Sequence, residues 1–191
     1  MEFMSAREAA DKWGISQRRD MIIDNCNQIR ELISGIKKNI ELTSHELSSV
    51  LQKNPIESLA RLKFDKIAMD PLNGEKINFI EMLNQAYSDL VVLYAAEELI
   101  KQYPGKSFEL SMGALNGFDI SSTDGMVIAE CFAVVSVFNN QKMEKDSQKL
   151  MQETDLVDKY IFYYSREDTD SAVKRITEKY SEIHYKRIEQ F

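Results

Sequence analysis

At 191 residues the chain is long enough to bury a core without disulfides or a structural metal. A hydrophobic content of 43% with 29% charged residues excludes wholesale disorder, and a net charge of −7 excludes a protein that coats nucleic acid through basic surface. Cys26 and Cys131 make no CxxC or Cys/His spacing, and no run has the roughly 18 apolar residues of a membrane span, so a soluble, cytoplasmic protein is expected.

Residues 1–70 are expected to be helical. Ser5 is placed to cap a helix through SAREAADKW, with Glu8 as its capping-box partner; Gly14 interrupts it and Ser16 caps the next. Ile22, Cys26, Ile29, Ile33, Ile36 and Ile40 then follow at 4-3-4-3-4 spacing, a seam of 3.5-residue period widened by Leu32. This predicts a helix from Arg19 to Ile40 that packs on its own domain or against a second copy. A homodimer through residues 19–40 is the expectation, because the seam would otherwise expose a long apolar stripe. Thr43 is placed to cap a further helix carrying Leu47, Val50 and Leu51, ended by Pro55.

Residues 71–191 are expected to form a second unit. The segment 71–76, PLNGEK, is a turn-rich joint. A helix from about Asn78 to Gln102 carries Ile80, Leu83, Tyr87, Leu90 and Tyr94 on one stripe. Alternation of Phe108, Leu110 and Met112 with Ser107, Glu109 and Ser111 predicts a half-buried strand. FDIS is a short second strand, residues 123–125 a Thr-Asp-Gly turn, and MVIAECFAVVSVF a central strand apolar on both faces. A helix over about Lys142–Gln152, a strand over residues 159–165 and a last helix over about Asp168–Glu189 complete the pattern. The order α-β-β-β-α-β-α predicts an α/β fold with a mixed central sheet flanked by helices.

Glu130 stands in the middle of the strand expected to be buried on both faces, where an ionised carboxylate loses its hydration at a cost of several kcal/mol. Asp119 lies on the preceding strand, and the turn through Asp124 and Gly125 would bring the two carboxylates together. Two such acids repel, and a divalent cation relieves them. The string GFDISSTDGMVIAECFA, with the strand before it and the helix after it, resembles the PD-(D/E)XK, or restriction-endonuclease-like, nuclease superfamily. The resemblance covers about 110 residues in element order and three positions in chemistry. It implies that Asp119 and Glu130 bind Mg²⁺ or Mn²⁺, and that Glu81 on the first core helix assists. The family's lysine position, two residues after Glu130, is Phe132 in this chain. Some members carry that lysine on a neighbouring element, which points to Lys142 or Lys145 on the helix beginning KMEKDSQK.

The expected function is therefore a divalent-metal-dependent DNA endonuclease hydrolysing phosphodiester bonds. The alternatives are a nuclease-fold DNA- or protein-binding module without catalysis, and a helix-turn-helix regulator with a dimerising C-terminal domain. For the last, MSAREAADKWGISQRR resembles the opening of helix-turn-helix modules of the MerR and excisionase kind, which would present Arg18 and Arg19 to DNA. The first sixty residues hold 8 basic and 9 acidic side chains, so no basic patch accompanies it. His45 and His184 have no catalytic or metal-spaced partner nearby, and there is no Gly-rich phosphate loop.

Overall fold

Residues 20–51, 54–112, 117–136, 141–154, 156–167, 170–189 and 191 are described by the structure, a computed structural model. In chain order the elements are β1 Asp20–Ile23, α1 Cys26–Val50, α2 Pro55–Phe64, β2 Ala68–Met69, β3 Lys76–Ile77, α3 Phe79–Gln102, β4 Phe108–Ser111, β5 Ile120–Ser122, β6 Val127–Val134, α4 Lys142–Leu150, β7 Asp158–Ser165, α5 Asp170–Lys179 and β8 Ile183–Arg187. Six strands form one mixed sheet in the order β1-β4-β5-β6-β7-β8, and β2 pairs with β3 in a separate hairpin. The expected α/β class and the order of elements from α3 to β7 hold. The expected helices before residue 20, with Arg18 and Arg19, lie outside the described residues.

β6 is central because its residues are apolar on both faces. Val127, Ala129 and Cys131 join the core formed with α1 and α3, while Ile128 and Phe132 join a second core with Met143 and Leu150 of α4. On one side β6 pairs antiparallel with β5, and on the other it runs parallel to β7. The parallel pair needs a crossover, which α4 supplies. The Thr-Asp-Gly turn joins β5 to β6 as expected: Gly125 adopts φ +71° and donates to the Ser122 carbonyl at 2.8 Å. The Ser122 hydroxyl accepts the amides of Met126 and Val127, at 3.0 and 2.9 Å, and donates to Asp124 at 2.6 Å. These bonds fix the register of the two strands.

The N-terminal seam has a different destination from the one its spacing suggested. Ile29, Ile33 and Ile36 are buried in the same core as Val91, Leu93 and Leu99 of α3. The middle of the stripe that motivated a homodimer is therefore covered by the chain's own helix and sheet. The helix also does not begin at Arg19. Residues 20–23 form β1, which pairs antiparallel with β4, and Ile22 is 64% exposed. Asn25 caps α1 by accepting the amides of Asn27 and Gln28, and the Gln28 side chain accepts the Asn25 amide at 3.3 Å. Thr43 is not a cap but an interior residue of α1. Its hydroxyl donates to the Asn39 carbonyl at 2.9 Å and accepts the Met69 amide at 3.0 Å. Pro55 likewise opens a helix, α2, at the position after the Asn54 cap, where its missing N–H costs nothing.

The joint at 71–76 is the tip of the β2–β3 hairpin, with Gly74 at φ +72° and donating to the Asp70 carbonyl at 3.0 Å. The side chain of Asn39 donates to the carbonyls of Asp70 and Pro71, at 3.2 and 3.0 Å, which ties the hairpin to α1. The boundary expected at residue 70 falls within this hairpin. The expected final helix is also shorter, ending at Lys179. Ile183, assigned to its inner face, belongs to β8, parallel to β7. Among the described residues no helix is long and apolar enough to cross a membrane.

Candidate active site

The β5–β6 register pairs Ile120 with Ala129 and Ser121 with Ile128. Extended by one residue it sets Asp119 opposite Glu130, both on the face covered by α4. Asp119 is half-buried at the entry to β5, and its Oδ2 accepts the Cys131 amide at 2.7 Å. Glu130 is 3% exposed in the middle of β6, next to Ile161 of β7. The turn between the two strands therefore brings Asp119 and Glu130 opposite each other.

α4 lies over this face because Met143, Ser147 and Leu150 bury one side of it. Beside that stripe runs a polar one of Lys142, Asp146 and Lys149. Lys149 forms an ion pair with Glu130 and also donates to the Gly117 carbonyl. Its ammonium stands 4.8 Å from the centre of the Phe118 ring, a cation–π contact. Lys142 pairs with Asp146 at 2.8 Å; Asp146 is itself only 5% exposed. The side chains of both lysines stay about two-fifths open, at 43% and 42%.

Asp119, Glu130, Asp146 and Lys142 are near enough for their charges to act on one another, and their protonation reflects it. Burial, helped by the neighbouring Asp119, pushes Glu130 up to about 7, and Lys149 opposes the shift without cancelling it. Burial likewise raises Asp119 and Asp146, against the pull of Lys142 and Lys149 on both. Burial works against the Lys142 charge, but its bond to Asp146 and the charges of Asp146, Glu130 and Asp119 outweigh that and hold its ammonium above the usual range. Burial and mutual repulsion raise the proton affinity of these acids, and a cation bound beside them would favour their ionised forms.

The lysine paired with Glu130 is on the helix that was expected to supply one, but further along it than Lys142 and Lys145. Lys149, not Lys142 or Lys145, pairs with Glu130. Lys142 is in the cluster through Asp146, whereas Lys145 is on the exposed side of α4. A signal for this existed in the sequence. At about 100° per residue, a helix buried through Met143 and Leu150 turns Lys142, Asp146 and Lys149 to one flank and Lys145 to the far side. Phe132 packs against Tyr163 with ring centres 6.1 Å apart, filling the second core. Glu81 serves the start of α3: its amide donates to the Asn78 side chain at 2.9 Å, and its carboxylate accepts from Asn78 and Gln85 at 3.3 and 3.2 Å.

Among the described residues no group of three or more His, Cys, Asp or Glu side chains is placed to hold a metal ion directly. Two carboxylates suit Mg²⁺ nonetheless, since this ion is commonly held by one or two acids and completes its shell with water and substrate phosphate oxygens. The donor set of Asp119 and Glu130 fits on that ground. No protein-family model, curated protein or solved structure matches the chain.

Proposed function

We propose that the protein is a divalent-metal-dependent nuclease of the restriction-endonuclease-like kind, acting on phosphodiester bonds of DNA. The observation that carries this is the triad of Asp119, Glu130 and Lys149, assembled from two neighbouring strands and the crossover helix. Asp119 and Glu130 would hold Mg²⁺, which lowers the pKa of bound water and offsets charge on the scissile phosphate. Asp119 is oriented for this by the Cys131 amide. Lys149 brings a positive charge, steadied by the Gly117 carbonyl and the Phe118 face, to the place where negative charge develops. It takes over the task for which Phe132 has no donor. Lys142, open on one side, offers a second cation to a backbone phosphate.

The test is Mg²⁺-dependent cleavage of plasmid and of linear duplex DNA by the full chain. Activity lost in Asp119→Asn, Glu130→Gln and Lys149→Met, each still folded, supports the proposal. Metal-independent cleavage, or cleavage that survives all three substitutions, refutes it. One observation favours a second reading. Glu130 is already paired with Lys149, and Phe132 completes a packed core beside it, as in a nuclease-fold module that binds DNA or protein without cutting. Salt-dependent DNA binding with no cleavage in either Mg²⁺ or Mn²⁺ would establish that alternative.

A further inference from the structure

Asp146 has no part in the chemistry proposed above, yet it is the most unusual charged group of the cluster. Its Oδ1 accepts from Lys142 at 2.8 Å. Its Oδ2 is buried and has no hydrogen-bond partner among the described residues. A buried acceptor left unpaired costs about 1–3 kcal/mol, and more for a charged group. A salt bridge to Lys142 would be served as well by a carboxylate with its second oxygen in water, so the ion pair alone does not account for this placement. Asp146 lies one turn before Lys149 on the same flank of α4, and Lys149 pairs with Glu130, so Asp146 is beside the two acids; its charge acts on Glu130, and that of Asp119 acts on it.

We propose that Asp146 is a third acidic residue of the divalent-cation site, accepting a hydrogen bond from a water carried by the cation. This rests on Asp119 and Glu130 being the direct ligands. A role through water follows from two facts. The described acids include no group of three placed to ligate one ion directly. Mg²⁺ also sheds water reluctantly and keeps several molecules in its shell. A bound water would fill the unpaired position of Oδ2, and Asp146 would bring the site's third negative charge against two lysines.

The experiment is titration of the full chain with Mn²⁺, followed by the electron paramagnetic resonance signal of the free ion, in wild type, Asp119→Asn, Asp146→Asn and Lys142→Met. Thermal unfolding without metal checks that each is folded. Asp146→Asn is expected to weaken Mn²⁺ by about tenfold to a hundredfold, as is usual for a partner in the outer shell. Lys142→Met is expected to bind as tightly as wild type or more tightly, because it removes a competing positive charge. Should asparagine fail to fold, Asp146→Ser, which leaves room for water in place of the carboxylate, is expected to show the same loss. Binding by Asp146→Asn within about twofold of wild type, while Asp119→Asn is defective, overturns this role and leaves the direct ligands standing. Equal losses in Asp146→Asn and Lys142→Met also overturn it, since Asp146 would then act only by placing the lysine. Absence of Mn²⁺ binding by wild type ends both this role and the proposed metal site.

Discussion

The two faces of β6 are built from the same eight-residue strand and have opposite characters. On the α1/α3 side Val127, Ala129 and Cys131 meet Leu93, Leu99, Phe108 and Phe162 in a dry core. On the α4 side Glu130 sits between Ile128 and Phe132, facing Lys149 and near Asp119 and Asp146. The first face is optimised for burial. The second holds like charges together against burial and repulsion, and perturbed acids of this kind are a reason to look for a function there. The difference teaches that stability and activity should respond in opposite directions to substitutions on opposite sides of one strand.

The largest effect should be on activity from the α4 face. Lys149→Met is expected to lower kcat by about 10²–10³-fold, the range seen when one donor to developing negative charge is removed. Single-turnover cleavage assays would check it; an unchanged rate would break the contrast between the faces. On the opposite side, Leu93→Ala should destabilise by about 2–5 kcal/mol, because the fully buried Leu93 leaves a cavity that helix and sheet cannot close. Urea unfolding with an unchanged slope would confirm that stability alone is altered.

Glu130→Gln should have the reverse sign. Glu130 is held at about 7 against an ordinary 4.5, so between these values the folded protein keeps a proton that the unfolded chain releases. This contribution to stability is complete below pH 4.5, falls as pH rises toward 7 and is gone above it. The difference amounts to about 3 kcal/mol. Metal-free Glu130→Gln should therefore melt several degrees above wild type at pH 8, with the gap closing at pH 5. Calorimetry at the two pH values would show it, and Mg²⁺ should raise the melting temperature of wild type but not of the variant. Smallest of all, Ile22→Ser on the exposed side of β1 should change stability by less than about 0.5 kcal/mol and leave the sedimentation coefficient unaltered. Dissociation of a dimer by Ile22→Ser would show that the exposed end of the seam has a partner after all.

Much of the fold was legible in the chain. The doubly apolar run around Glu130 marked the central strand, and Thr-Asp-Gly marked the turn that sets Asp119 across from it. Edge elements were not legible, because short segments satisfy two periods at once. Ile22 continues a 3.5-residue seam and also alternates with Ile23 in β1. Ile183 similarly continues the spacing of α5 yet lies in β8. In both cases pairing with a neighbouring strand, distant in sequence, decides the matter, and local propensity carries no record of that partner.

By itself, then, the sequence determined that Glu130 is buried, that Asp119 accompanies it, and that α4 follows with cations to offer. These depend on side-chain polarity, on a turn of three residues and on chain order, all of which are local. Only the tertiary structure decided that Lys149 faces Glu130, that Asp146 is buried with one oxygen unpaired among the described residues, and that Ile29, Ile33 and Ile36 of α1 end in the molecule's own core. Those outcomes depend on how a helix is rotated and docked on a sheet. That rotation is fixed by Met143 and Leu150, and for α1 by Ile29, Ile33 and Ile36, finding apolar surface that the folded chain alone provides.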